Sequence, residues 1–314
     1  MTTPQPKSSS ERYLVWLLLL VALAVSGWLV HRAKPRAAVA PDFELLTAVP
    51  AGPELLVTAD VAALSPAVAL ELLQAGGGAL LGLRELCGFE PILGLRRVAF
   101  AVPFRAQNAP GASDFAFLAQ TSLTPEPVLR CAEAVLRKRG GQPVRSSLGR
   151  FTSVRDQGKP LGEVAIRDDG LLVLSGGQYF RDVLDAANGV ALGDEAARLR
   201  TRVHAGIRRR LAPSQLAVTM LPGPSLPLPG VQALGLGLDV GQDVRLRGYV
   251  GCASAPACVE ARRMLEQIKT DVARDAGISG LASLTIAERP AELEVSGHLP
   301  REQLAPLLSQ LLAP

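Results

Sequence analysis

The side chains in this sequence that invite a chemical reading are three histidines, four cysteines and a run of three arginines. Histidine is the commonest general base near neutral pH. His31 flanks a long apolar segment, His204 lies in an arginine-rich helical stretch and His298 is expected after the last strand. None has a serine, cysteine or carboxylate at a familiar catalytic spacing, so all three are expected to be surface or structural residues. Ser175 stands in Leu174-Ser-Gly-Gly, without the G-x-S-x-G elbow of a serine hydrolase, and no S-x-x-K occurs. Gly76–Gly78 lacks the Lys-Ser/Thr ending of a phosphate loop, and Gly235-Leu-Gly237 lacks the third glycine of a dinucleotide fingerprint. Both read as turns or close-packing sites. Asp168-Asp169-Gly170 reads as a turn, and Asp60 as the end of a strand. No catalytic, cofactor-binding or metal-ligating set emerges, and no cofactor is expected.

The cysteines are Cys87, Cys131, Cys252 and Cys258. Ala-Ser-Ala-Pro-Ala separates Cys252 from Cys258, a turn-forming stretch that brings them together if one ends a strand and the other begins a helix. A local disulfide is one reading and a pair of small buried residues the other. A metal site fits poorly, since there is no C-x-x-C and no nearby histidine. Cys131 falls on the apolar side of a helical pattern, as a core residue would. Arg208-Arg209-Arg210 is the strongest local charge feature, and its reading is divided. It is either the solvated, cationic end of a helix, well placed against the helix dipole, or a patch for an anionic partner.

These residues have to be positioned by a chain of unusual layout. Tyr13 to Val30 is an uncharged run of eighteen residues, about 27 Å long as a helix and close to the thickness of a bilayer's hydrocarbon layer. Tyr13, Trp16 and Trp28 lie towards its ends, and Arg12, His31, Arg32, Lys34 and Arg36 bracket it. A single membrane-spanning helix is the direct reading. A cleaved signal peptide is the rival, because Ala38-Val39-Ala40 imitates a cleavage site, but the run is long for a signal core and Pro41 would follow the cut. Residues 1–36 carry five basic side chains against Glu11, which accounts for the whole net charge of +4 and leaves 28 basic and 28 acidic groups beyond. The basic pI therefore reflects the membrane flanks and supports no nucleic-acid footprint. Aromatic residues at 4% also supply few stacking platforms for single strands.

Past a short tail (1–12) and the span (13–30), residues 31–42 form a Pro- and Ala-rich linker, and folded patterns begin near Phe43. Period-two strand patterns alternate with amphipathic helices, which predicts an α+β fold with a mostly antiparallel sheet. Strands are expected at Leu55–Ala59, Val98–Val102, Phe115–Gln120, Phe151–Val154, Glu163–Arg167, Leu171–Leu174, Leu216–Met220, Leu234–Val240 and Val244–Val250. A hairpin should follow across Arg289-Pro290. Helices are expected to open at Ser65-Pro66, at Thr124-Pro125, near Gln178, ahead of Leu199, and at Ser254, with a last one through Leu304–Leu311. In the fourth of these, Leu199, Val203, Ile207 and Leu211 recur every four residues as the inward stripe. The order of elements in 43–190 is echoed in 191–314 and suggests two duplicated α+β subdomains.

Together these features predict a single-pass protein of a bacterial inner membrane with a periplasmic domain acting as a non-enzymatic interaction or assembly module. Its partners would be the membrane and a protein, with no nucleic acid. Topology rests on the short N-terminal stub and the even cysteine count, since the positive-inside tally alone slightly favours the cytoplasm. A binding module for a small apolar or lipid-like ligand between the subdomains is the alternative, ahead of an envelope hydrolase with a dispersed site.

Overall fold

A computed structural model describes residues 45–63, 85–89, 94–104, 114–158, 162–223, 228–241, 243–275 and 279–303. The Tyr13–Val30 span, the 31–42 linker, and the helices expected at Ser65-Pro66 and Leu304–Leu311 lie outside the described residues. Among the described residues no helix is long and apolar enough to cross a membrane.

The chain is α+β and built on one large antiparallel sheet. Its strands are β1 (Pro53–Asp60), β2 (Leu95–Pro103), β3 (Ala116–Thr121), β4 (Pro143–Leu148), β5 (Phe151–Asp156), β6 (Glu163–Arg167), β7 (Leu171–Ser175), β8 (Leu216–Met220), β9 (Val231–Val240), β10 (Asp243–Cys252), β11 (Thr285–Arg289) and β12 (Glu292–Pro300). The described α-helices are α1 (Pro125–Lys138), α2 (Gly177–Ala187), α3 (Glu195–Leu211) and α4 (Ala255–Asp275). The strand order is β11-β12-β10-β9-β8-β1-β2-β3-β7-β6-β5-β4.

The two sides of that order follow similar but unequal courses, seven strands in one and five in the other. A three-strand meander (β1-β2-β3) leads into α1, and a second meander returns so that its last strand, β7, pairs with β3. In the other half β8-β9-β10 leads into α4, and β12 returns beside β10. The two paths meet where β1 pairs antiparallel with β8, Val57 opposite Val218 at the centre. An antiparallel pair of equivalent strands implies a local two-fold axis perpendicular to the sheet. Such an axis keeps each face of the sheet on its own side. Accordingly α1 and α4 pack on one face, while α3 and the 3-10 turn Leu45–Ala48, each preceding a first strand, pack on the other with α2.

The two faces differ because side chains alternate along a strand. The face under α1 and α4 carries large apolar groups across the seam, including Leu55, Val57, Phe100, Phe117, Val218 and Met220. The opposite face carries small ones at its centre, such as Ala99, Ala101, Ala116 and Ala217, which lets helices approach closely. Gly235 and Gly237 illustrate why. A Cβ on Gly235 would lie 2.4 Å from Ile207 Cγ2, and one on Gly237 would lie 2.3 Å from Ser214 Oγ and 3.1 Å from Leu211 Cβ. The Gly-Leu-Gly segment is therefore a seat for the end of α3.

Both cysteine pairs are bonded. Cys252, ending β10, and Cys258, in the first turn of α4, have their sulfurs at 2.03 Å. Cys131 of α1 is bonded to Cys87, 44 residues earlier, and so is half-buried in a crosslink where the helical pattern had suggested a core residue.

Candidate ligand groove

Asp194 caps α3 by accepting from the Ala197 backbone N–H at 2.7 Å. The helix then lies over β8, β9 and β1, with Ala197, His204, Ile207 and Leu211 buried beneath it. The expected inward stripe is only half right. A four-residue step overshoots a 3.6-residue turn by about 40°, so three steps swing the side chain by about 120°. Ile207 and Leu211 face the sheet, whereas Leu199 and Val203 remain 54% and 36% exposed.

These two residues form one wall of an open groove of about 510 Å³. Its floor is made by Ala233 and Gly251, small residues on β9 and β10 that leave the space unfilled. Leu221 and Pro222 line it further, and the Pro290-Ala291 turn closes the far side. One end is set by Phe104, whose ring lies 4.4 Å beneath the Arg200 guanidinium carbon. Arg200 is held there by donation from Nε to the Gly52 carbonyl at 3.3 Å. At the rim Arg210 donates to both oxygens of Glu292, at 2.6 and 2.8 Å, and lies over the Tyr249 ring at 4.9 Å. Tyr249 donates its hydroxyl to Glu292 at 3.1 Å. Partial burial, and then this acceptor carboxylate, raise the Tyr249 phenol above its ordinary value. The groove is thus an apolar trough with an internally paired ionic rim.

The three side chains of the arginine run take different surroundings. Successive helical residues point about 100° apart, so Arg210 turns to the groove rim, while Arg208, half-buried, and Arg209, exposed, lie away from it. The trough itself could not be read along the sequence, since its lining comes from six separate segments between Phe104 and Glu292, and Leu199 and Val203 were expected to face inward.

His204 is structural. It is 2% exposed, with Nε2 2.9 Å from the Pro53 carbonyl and Nδ1 2.7 Å from Thr219 Oγ1. A carbonyl can only accept, so Nε2 carries the proton and Nδ1 accepts from the threonine. Burial holds this imidazole below its ordinary pKa. The pairing of a base with a hydroxyl resembles a nucleophile pair, but the orienting group is a carbonyl rather than a carboxylate, and Thr219 is 1% exposed. No substrate reaches it. His298, expected after the last strand, lies within it, exposed on β12, because that strand runs on to Pro300. Ser153 is fully buried and donates to Glu163 at 2.5 Å, while Ser175 donates to the Phe115 carbonyl at 2.5 Å. Among the described residues, no group of three or more His, Cys, Asp or Glu side chains could hold a metal ion.

No family model and no curated protein matches the chain. Among solved structures, the one described as "Structure of crystal form I of TP0453" is similar, with a TM-score of 0.49 and 14% identity over 87% of this chain and 100% of that one. A likeness that distant carries no function across.

Proposed function

We propose that this is a single-pass inner-membrane protein whose periplasmic α+β region, two copies of one sheet-and-helix unit, is a non-enzymatic binding module. Its α3 groove would receive an apolar segment of a protein partner. The observation that carries the reading is the pair Leu199 and Val203, left in water on a helix whose other large apolar side chains, Ile207 and Leu211, are buried. Two exposed apolar residues above an apolar floor make a receptor surface rather than a reaction site. The two disulfides support placement in an oxidising compartment, and the uncharged Tyr13–Val30 run supports the anchor. The groove's volume also favours a second reading, a small apolar or lipid-like ligand.

A photocrosslinking side chain placed at Leu199 in cells tests the groove. The expected result is a discrete adduct that disappears when Val203→Lys is added, its mass distinguishing a protein from a small molecule. Absence of any adduct, or an equal adduct from the exposed loop residue Val190, refutes the groove. C-terminal fusions to alkaline phosphatase and to green fluorescent protein test placement separately. Phosphatase activity without fluorescence is expected, and the reverse refutes a periplasmic domain.

A further inference from the structure

The outward face of α3 carries a second feature that the groove does not use. Arg198, Arg202, Ala205, Arg209 and Ala212 follow one another at three- and four-residue spacing along one side of the helix, a stripe about 16 Å long between the outer arginines. Arg202 and Arg209 are exposed, and among the described residues neither meets a carboxylate. Among the described residues Arg198 donates to the Gly193 carbonyl alone, at 3.4 Å. Because Ala205 and Ala212 are small, a shallow hollow of about 490 Å³ opens between the stems of Arg202, Arg208 and Arg209. This is a local concentration of positive charge on a folded region that is neutral as a whole.

Its position relative to the tether says what it faces. The described chain begins at Leu45 on the same side of the sheet as α3, packs first against α2, and meets the N-terminal turns of α3 at Ala51 and Gly52. The Gly52 backbone N–H donates to Thr201 Oγ1 at 2.8 Å, and a Cβ at Gly52 would stand 2.8 Å from the Ala197 Cα. A tether through the span read at 13–30 and the twelve-residue linker would therefore reach the fold at Leu45, on the side of the sheet that carries α3. Such a linker reaches about 40 Å at most, so the bilayer surface lies within range of that face.

We infer that the Arg198–Arg202–Arg209 stripe docks the domain onto anionic phospholipid headgroups. The guanidinium forks match phosphate oxygens, and the hollow over Ala205 gives a headgroup room to enter. Each arginine close to an anionic bilayer contributes on the order of a five-fold change in occupancy of the docked state, and three contribute roughly 100-fold. The inference rests on the anchor reading for its geometry only, and the two fail separately.

The test uses the full chain carrying Ala205→Cys labelled with a polarity-sensitive dye, since disulfide-bonded cysteines do not react. The protein is placed in nanodiscs of phosphatidylcholine alone or mixed with phosphatidylglycerol. A blue shift in the anionic discs only, reversed by high salt and abolished by Arg198→Gln/Arg202→Gln/Arg209→Gln, is the expected result. A chain that stays inserted through alkaline extraction but shows no shift with phosphatidylglycerol overturns the docking while leaving the anchor standing. A shift that survives the triple substitution overturns it too, as does a response to soluble polyglutamate with none to phosphatidylglycerol, which would assign the stripe to an acidic protein. If the chain does not insert at all, the anchor reading fails. Salt-sensitive co-flotation with phosphatidylglycerol vesicles then decides the stripe, and its absence overturns the docking.

Discussion

Replacing His204 with phenylalanine tests the seam between the two halves, because this ring ties α3 to Pro53 of β1 and Thr219 of β8. Phenylalanine keeps the ring but removes both hydrogen bonds. Thr219 can turn its hydroxyl to the Leu56 carbonyl, 3.3 Å away, whereas the Pro53 carbonyl loses a buried partner, a cost of about 1–3 kcal/mol near pH 8. The pH dependence of that cost is the sharper prediction. Burial depresses the native imidazole below its ordinary value of 6.5, so as pH falls through 6.5 the unfolded chain takes up a proton that the native protein refuses. The stabilisation is therefore complete above that pH and is lost towards acid, by up to about 2 kcal/mol between pH 8 and pH 5. His204→Phe has no such group to titrate. The wild type and the variant should consequently differ most at pH 8 and converge on acidification. Urea unfolding of the full chain in detergent micelles, followed by far-ultraviolet circular dichroism across that range, measures the gap. A gap that stays constant or widens towards pH 5 refutes the argument that the native imidazole is held neutral by burial.

Three further outcomes follow from the geometry. Gly235→Val should force Ile207 and Leu211 off the sheet, costing about 1–3 kcal/mol by overpacking, and thermal unfolding of the full chain reports it. Replacing each cystine by serines should reveal an order set by loop length. Loss of Cys87–Cys131, which closes 44 residues, should cost about 4 kcal/mol, and loss of Cys252–Cys258, six residues apart, about 2 kcal/mol. Unfolding midpoints in the opposite order would point to strain or residual structure as the larger effect. Arg210→Ala should remove a cation that holds the Tyr249 phenol down while the Glu292 carboxylate still accepts its hydroxyl, so the phenol's pKa should rise further. An upward-shifted Tyr249 titration, read by absorbance against the wild type, checks that rise.

Much of the fold could be read along the chain because its strands alternate strictly and its helices start at polar or Pro-marked positions. Glu163–Arg167 and Leu216–Met220 match the expected strands residue for residue, and the Arg289-Pro290 turn joins β11 to β12. β4 escaped notice because Pro143–Leu148 is an edge strand reading Pro-Val-Arg-Ser-Ser-Leu, half-buried and held by Arg145 to Glu126 at 2.7 Å. Its fixing charges lie on α1, beyond the view of any local pattern. The single continuous sheet was also out of reach, since the β1–β8 pairing joins segments with unrelated patterns. The groove left one trace in the sequence. A stripe repeating every four residues cannot stay on one side of an α-helix, and the drift from Leu199 to Leu211 already meant that one end of it must leave the core.

The β1–β8 seam also governs the order in which the molecule can be completed. Thr219 and Leu56 are 163 residues apart, so the contact that joins the halves carries a large loop-closure cost and cannot form until most of the chain exists. Until then β1, with Leu55, Leu56 and Val57, presents an unpaired apolar strand edge, the kind of surface that recruits other nascent chains. The half made first therefore waits open for the half made last, and closure of the seam is what turns two sticky edges into the interior of one sheet.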